Sequence, residues 1–136
     1  MERRKPPLWA NVKEEVHQEN LCTWWKLACR KYGLPEMALA HPPNEAMGRS
    51  VIAGYRLKKT GMRKGFPDLQ LCAMRGGHGS LFIELKSYYG KASPEQLAWL
   101  EFLRSQGYAA CLCVGADAAR QCIEDYLAGK AIPERM

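Results

Sequence analysis

The sequence predicts a small α/β fold in which a mixed β-sheet lies between helices. Long segments repeat their apolar residues every three or four positions, as helices do, and shorter runs alternate apolar and polar residues, as strands do. Two of the alternating runs are joined by RGGHG, residues 75–79, a composition typical of a hairpin connection. The predicted order is α-(α)-β-β-α-β-α, and a chain of 136 residues suits one domain, residues 1–136.

The first part of the chain is predicted to be helical and then irregular. From Asn11 to Tyr32 apolar residues recur at the spacing of one helix face, with Val16 and Leu27 among them, and Gly33 ends the pattern. The prolines between residues 34 and 50 indicate irregular structure. The sequence VIAGYRLKKTG, residues 51–61, is compatible with a second, short helix that ends at a glycine.

The second part alternates strands and helices. Ser93 is a suitable N-cap, Pro94 suits the first helical position, and Gln96 completes a capping pattern, so a helix should start here. The predicted elements are antiparallel strands at 68–74 and 80–89, a helix over 93–107, a buried strand over 108–114 and a closing helix over 116–130.

Composition excludes several classes of protein. Apolar residues make up 47% and charged residues 25% of the chain, as in ordinary globular proteins. No apolar run approaches the ~20 residues that span a bilayer, and MERRKPPLW lacks the apolar stretch of a signal peptide. We therefore expect a cytoplasmic protein with no membrane partner.

Cysteine and histidine spacing does not predict a zinc site. The six cysteines lie in apolar segments without a Cys-x-x-Cys pair, so we expect them to be reduced thiols in the core. The three histidines also lack the spacing of metal ligands, and we expect them on the surface or in loops.

The net charge of +6 is concentrated in the N-terminal half. Residues 1–64 contain 13 Lys and Arg against 6 acids, whereas residues 65–136 contain 7 against 8. Such a basic region suits contacts with phosphates, although a basic run alone is as often a solvated surface. The candidate DNA-binding residues are Arg49, Arg56, Lys58, Lys59, Arg63 and Lys64.

Three charged side chains are predicted to meet in the hairpin. Glu84 and Lys86 share one face of their strand, because side chains alternate along it. Pro67 keeps its neighbours extended, so Asp68 enters the preceding strand and can face Glu84. Paired carboxylates repel unless a cation lies between them, which suits Mg²⁺ or Mn²⁺, and a lysine beside them can orient or activate water. The alternative is an exposed ion pair without chemistry.

The sequences around these residues resemble a known nuclease family. GFPDL followed by LFIELK matches the PD-(D/E)xK signature, and the next segment is SPEQLAWLEFLRSQGYAACLCVGADAA. Together they strongly resemble the VRR-NUC domain, the virus-type replication-repair nuclease module, over about residues 12–128. The resemblance implies a restriction-endonuclease-like core and metal-dependent cleavage of DNA.

The resemblance also implies roles for individual residues. Asp68 and Glu84 correspond to metal ligands, and the backbone carbonyl of Leu85 is implied to complete the protein's share of the coordination shell. Lys86 corresponds to the catalytic lysine, and Gln96 to a glutamine that opens the following helix and faces the site.

The family takes a further acid from its first helix, in an E-x-x-x-Q pattern. Here EEVHQ provides Glu14, four residues before Gln18. Glu15 and Glu19 are adjacent alternatives that helix geometry alone does not separate.

The resemblance to family members of stand-alone, phage-like size implies endonucleolytic cleavage of branched DNA, with a role in DNA repair, in the cytoplasm of a bacterium or a phage-infected host and without a nucleotide cofactor. Resolution of four-way (Holliday) junctions by a homodimer is the first expectation, because a twofold assembly makes symmetric cuts most simply. Two alternatives remain open at this stage. One is a nuclease for flaps, nicks or DNA in general; the other is a DNA-binding module without catalysis.

Overall fold

A computed structural model describes residues 3–42 and 58–136 of the chain. Four strands form one sheet in the order β1-β2-β3-β4, with β1 and β2, and β2 and β3, antiparallel, and β3 and β4 parallel. The strands are β1 Leu39–Ala40, β2 Leu69–Leu71, β3 Leu81–Lys86 and β4 Ala109–Val114. The main helices of these residues are α1 Glu14–Ala28, α2 Pro94–Ser105 and α3 Ala116–Leu127. The predicted α/β fold with a mixed sheet is therefore confirmed.

The β2–β3 hairpin follows from its glycines. Arg75 and His78 exchange backbone hydrogen bonds of 3.1 and 2.8 Å around Gly76 and Gly77. Both glycines have positive φ, 56° and 82°, which a tight two-residue turn with the twist of the strands requires. Between this turn and the strands the pairing shifts by one residue, and in the strands Leu69 pairs with Ile83.

Helix α2 begins as its sequence predicts. The Ser93 hydroxyl accepts a hydrogen bond from Gln96 N at 3.2 Å, and Gln96 Oε1 accepts one from Ser93 N at 2.8 Å. Pro94 occupies the first turn, where its missing N–H has no cost. The helix carries the chain back across the sheet, which lets β4 run parallel to β3.

The two faces of the sheet are covered by different helices. On one face Leu81, Ile83 and Leu85 pack in a buried cluster with residues of α1 and α3. On the other face Phe82 packs with Leu100 and Leu103 of α2. Because side chains alternate along β3, the strand contributes residues to the hydrophobic cores on both faces of the sheet. Glu84 and Lys86 lie on the α2 face, at the end of the strand.

The inner face of α1 differs from the prediction. Val16 and Leu27 are exposed, and the residues that pack inward are His17, Leu21 and Trp25. His17 was expected at the surface but is buried on this inward face, where its Nδ1 accepts a hydrogen bond of 3.1 Å from Ala116 N at the start of α3. Burial lowers the pKa of His17 below its usual value. The helix ends in a 3-10 turn, Cys29–Tyr32, before Gly33 with φ of 68°.

Two further differences concern the middle of the chain and the thiols. Strand β1 lies in a segment predicted to be irregular, where Leu39 and Ala40 pair with β2. Of the predicted short helix, residues 51–57 lie outside the described residues, and Lys58 and Lys59 are helical. The cysteines are all free thiols, but Cys22 and Cys72 are exposed rather than buried. No helix in the described ranges has the length and apolarity to cross a membrane.

Tyr126 provides a test of how α3 is held to the sheet. Its hydroxyl donates a hydrogen bond of 2.6 Å to the carbonyl of Ala73, just after β2, and the side chain is buried. Tyr126→Phe leaves that carbonyl without its donor, so we expect the free energy of unfolding in urea to fall by about 1 kcal/mol. Tyr108→Phe, which removes a hydroxyl from a ring that is 37% exposed, is the control. Equal losses in the two variants would contradict this role of the Tyr126 hydroxyl.

Candidate active site

Three acids from separate parts of the chain meet at the end of β3. Glu14 begins α1, Asp68 precedes β2 and Glu84 lies in β3. Each offers a carboxylate oxygen, and these oxygens lie within 4.8 Å of one another. Asp68 and Glu84 are only 5% and 1% exposed. Three carboxylates, two of them buried and that of Glu14 partly exposed, are a donor set that suits a hard divalent cation.

The GFPDL segment is fixed against its neighbours. A Cβ at Gly65, whose φ is 86°, would lie 2.7 Å from the backbone of Glu95, so only glycine allows the segment to approach α2 this closely. Pro67 is fully buried. Continuing the β2–β3 register by one residue sets Asp68 opposite Glu84.

The hydrogen bonds of Asp68 orient both its side chain and its backbone. Its Oδ2 accepts from Leu85 N at 2.8 Å, and its carbonyl oxygen accepts from His41 Nδ1 at 2.5 Å. Because a carbonyl only accepts, this nitrogen of His41 carries the proton. Sequence analysis did not identify His41 as a residue that positions Asp68, since no local pattern relates a histidine to an aspartate 27 residues away.

The contact from Leu85 N also indicates the direction in which the backbone carbonyl of Leu85, the predicted metal ligand, points. The N–H and C=O of one strand residue point toward the same neighbouring strand. Lys86 O accepts from Gly115 N, beyond the end of β4, so the carbonyl of Lys86 points toward β4. The carbonyl of Leu85 therefore points the opposite way, toward Asp68.

Lys86 is buried between the acids. Its ammonium lies 3.3 Å from Glu84 Oε1 and 3.7 Å from Glu14 Oε2, and the residue is 7% exposed. Among the described residues, Lys86 thus forms ion pairs with two of the three acids, and neither oxygen of Glu84 accepts a hydrogen bond there. A carboxylate so placed is poorly compensated.

The electrostatics of Glu84 and Glu14 reflect this imbalance. Burial, with the nearby charge of Asp68, raises the pKa of Glu84 from 4.5 to about 8 although Lys86 opposes the shift. Burial also raises the pKa of Glu14, with Lys86 acting in the opposite sense. The donor set fits a divalent cation, which would restore the ionised form of both groups.

Among the alternatives for the helix acid, the side chain of Glu14 is the one that approaches the other acids. Glu15 and Glu19 are exposed on α1, and Gln18 is partly buried. The geometry thus favours Glu14, which stays a proposed ligand.

Gln96 has a structural role that its sequence pattern also indicated. Its side-chain oxygen accepts from Ser93 N in the cap of α2. A phosphate oxygen only accepts, so any contact of this side chain with phosphate would involve its amide nitrogen.

The candidate DNA-binding residues are described only in part. Arg49 and Arg56 lie outside the described residues, whereas Lys58, Lys59, Arg63 and Lys64 are exposed just before GFPDL. The end of this run is anchored to α2, because Lys64 Nζ lies 3.7 Å from a carboxylate oxygen of Glu95 and Lys64 O accepts from Trp99 Nε1.

A second group of possible ligands lies in the core. The sulfurs of Cys111, Cys113 and Cys122 are within 4.8 Å of one another, and all three residues are buried between β4 and α3. Cys111 and Cys113 share a face because they occupy alternate strand positions. We interpret the three thiols as apolar packing, since each belongs to the same buried cluster as Ile83 and Ile123.

Comparison with known proteins places this site in context. The family model described as VRR-NUC domain matches residues 9–117. A solved structure described as a VRR_NUC domain protein is similar with a TM-score of 0.74 and 26% sequence identity, over 91% of this chain and 95% of that chain. A search of curated proteins gives no match.

The raised pKa of Glu84 predicts how pH affects the metal-free protein. Between pH 4.5 and about 8 the folded carboxyl holds a proton that the unfolded chain has lost, so stability should fall as pH rises through this window. In Glu84→Gln, which cannot titrate here, the fall should be shallower by at most ~1.4 kcal/mol per pH unit. Urea unfolding in EDTA from pH 5 to 8.5 measures both slopes. Parallel slopes would show that Glu84 ionises normally.

Proposed function

The chain belongs to the VRR-NUC domain family, a family of nucleases, and from that premise we propose that it is a metal-dependent endonuclease that cuts branched DNA. The observation that carries the proposal is the convergence of Glu14, Asp68 and Glu84 on Lys86. Ionisable groups buried close together are typical of functional sites. Three acids beside one lysine suit a divalent cation that also binds phosphate.

The proposed metal is Mg²⁺ or Mn²⁺. Its ligands would be the carboxylates of Glu14, Asp68 and Glu84 with the backbone carbonyl of Leu85. When bound, the metal supplies polarisation of the scissile phosphate and offsets the negative charge that develops on it.

The remaining steps are assigned to side chains of this protein. Lys86 positions or activates the attacking water, and its ammonium offsets charge in the transition state. Gln96 helps to place water or phosphate through its amide nitrogen. The basic residues between 49 and 64 hold the DNA backbone, a contact that positions the duplex without reading its sequence.

We place four-way junctions first among branched substrates and propose that a homodimer cuts them. In a twofold dimer the two active sites are related by the same symmetry as two opposite strands of a four-way junction. Each protomer can therefore cut one of these strands. Contacts with phosphates do not depend on the base sequence. The protein would therefore select its DNA substrate mainly by shape.

Single substitutions separate metal binding from chemistry. Glu14→Gln should weaken Mn²⁺ binding roughly tenfold or more, since even residues that only orient ligands change metal affinity this much. Lys86→Met should retain Mn²⁺ but lower the cleavage rate roughly 100-fold or more. Calorimetric Mn²⁺ titration and cleavage of a labelled four-way junction measure the two effects.

The matched control is Glu15→Gln, which removes the adjacent exposed acid. It should change neither quantity. If Glu15→Gln and Glu14→Gln weaken Mn²⁺ binding equally, the helix acid is misassigned. If the wild-type protein binds DNA and Mn²⁺ without cutting, the chain is a DNA-binding module rather than a nuclease.

Substrate choice is tested on DNAs that share arm sequences but differ in shape. With Mg²⁺ present, we expect the four-way junction to be cut faster than a flap or a linear duplex, and its two nicks to be symmetric. Light scattering should give the mass of a dimer. Faster cleavage of the flap would make flaps the substrate, and faster cleavage of linear duplex would exclude selection of branches.

A further inference from the structure

A cavity of about 500 Å³ adjoins the candidate active site at Lys86. Apart from Lys86 and Leu112 of β4, its walls come from the turn after β3, from Leu97 in the first turn of α2 and from Arg135 in the C-terminal segment. Cavities of this size hold small ligands or single residues of a larger substrate. The residues that matter for its chemistry are Lys86, Tyr88, Tyr89, Lys91 and Arg135.

The tyrosines are held by a tight turn directly beyond Lys86. Gly90 N donates to Ser87 O at 3.0 Å, so Tyr88 and Tyr89 occupy the two central positions of the turn. Tyr88 packs edge-to-face against Trp9 at 5.6 Å and against Tyr89 at 4.9 Å. Tyr89 is thereby supported through Tyr88, yet it is 63% exposed. A supported, open aromatic ring at the edge of a cavity is a surface on which a planar group can stack.

The cations of the cavity lie on the same side of the sheet as the acids. Arg135 pairs with Leu112 as a short parallel extension of the sheet, and Leu112 pairs with Glu84. Residues paired across strands share a face, so Arg135 lies two strands from Glu84, roughly 10 Å away. Lys91 lines the cavity from the other side of the turn, and both cations are exposed. They suit a phosphate next to the one at the acids.

We propose that this cavity binds the unpaired nucleotide next to the cleaved phosphodiester, with its base stacked on Tyr89 and its phosphate held by Lys91 and Arg135. The inference rests on the proposed function, which locates the cleaved phosphate beside Lys86. A base within a duplex is covered by its neighbours on both faces, whereas a base at a branch or a single-stranded end can leave the stack. Selection for branched DNA thus has a local cause at the site of cleavage.

Base stacking can be measured without catalysis. In EDTA, a flap DNA with 2-aminopurine at the unpaired position beside the branch should lose fluorescence on binding the wild-type protein and Tyr89→Phe, which retains the ring. Tyr89→Ala should show little quenching and bind roughly tenfold more weakly. Replacing the same nucleotide with an abasic residue should weaken the wild-type protein by a similar factor but leave Tyr89→Ala almost unchanged.

The proposal is decided by comparing the loss of affinity caused by removing the base with the loss caused by removing the Tyr89 ring. An abasic residue that weakens both proteins equally, or neither, would overturn it. Met74→Ala, which alters an exposed side chain after β2, is the control for surface changes and should bind both DNAs as the wild type does. Lys91→Ala and Arg135→Ala should each reduce the dependence of binding on salt, because one phosphate contact is lost. Unchanged salt dependence in both variants would remove the phosphate part of the proposal.

The outcomes separate this site from the proposed nuclease activity. If quenching depends on Tyr89 but no DNA is cut under Mg²⁺ or Mn²⁺, the nucleotide site stands and the nuclease assignment fails. If DNA is cut but base and ring show no coupling, the nuclease assignment stands and the nucleotide site fails.

Discussion

The buried carboxylate of Glu84 is the constraint on which the rest of the structure depends. Ionising a carboxyl group that is only 1% exposed is costly, and the ammonium of Lys86 at 3.3 Å offsets only part of that cost, so without metal the raised pKa of Glu84 keeps its proton up to about pH 8. Asp68 and Glu14 add negative charge to the same space. The metal-free fold therefore tolerates an unfavourable arrangement that the surrounding packing must offset. Such local cost is expected where side chains are arranged for chemistry rather than for stability.

That cost is tolerated because each acid is attached to a different rigid part of the fold. Glu84 belongs to a strand with partners on both sides, and Glu14 lies at the first turn of a helix whose later turns bury Leu21 and Trp25. Asp68 has no such element of its own, and it is held instead by Leu85 N, by His41 and by the close contact of Gly65 with α2. Asp68, the one of the three acids that lies outside a helix or strand, is thus held by individual hydrogen bonds and by the packing of its segment.

Local sequence patterns account for part of this arrangement and not for the rest. Alternation predicted that Asp68 can face Glu84, because one short connection joins their strands, but the one-residue offset between the turn and the strand pairing was not predicted. The cap of α2 was predictable for the same reason. The bond of His17 to the start of α3 spans 99 residues, and that of His41 to Asp68 spans 27, so no periodicity or motif could indicate them. The burial of Lys86 was also not predicted from the sequence, because it involves Glu14 of α1, which is distant in the chain.

The start of α2 links the two halves of the proposed chemistry. Its first turn contacts Gly65, so it sets the position of the GFPDL segment and with it Asp68, and Glu95 in the same turn holds Lys64 at the end of the basic run. Gln96 closes the cap with its side-chain oxygen, which leaves the amide nitrogen as its donor group. The capping pattern and the family's glutamine are therefore not competing interpretations of one residue. A cap that fixes the oxygen also fixes where the amide nitrogen can point, so the structural contact is compatible with the proposed role of Gln96 as a donor.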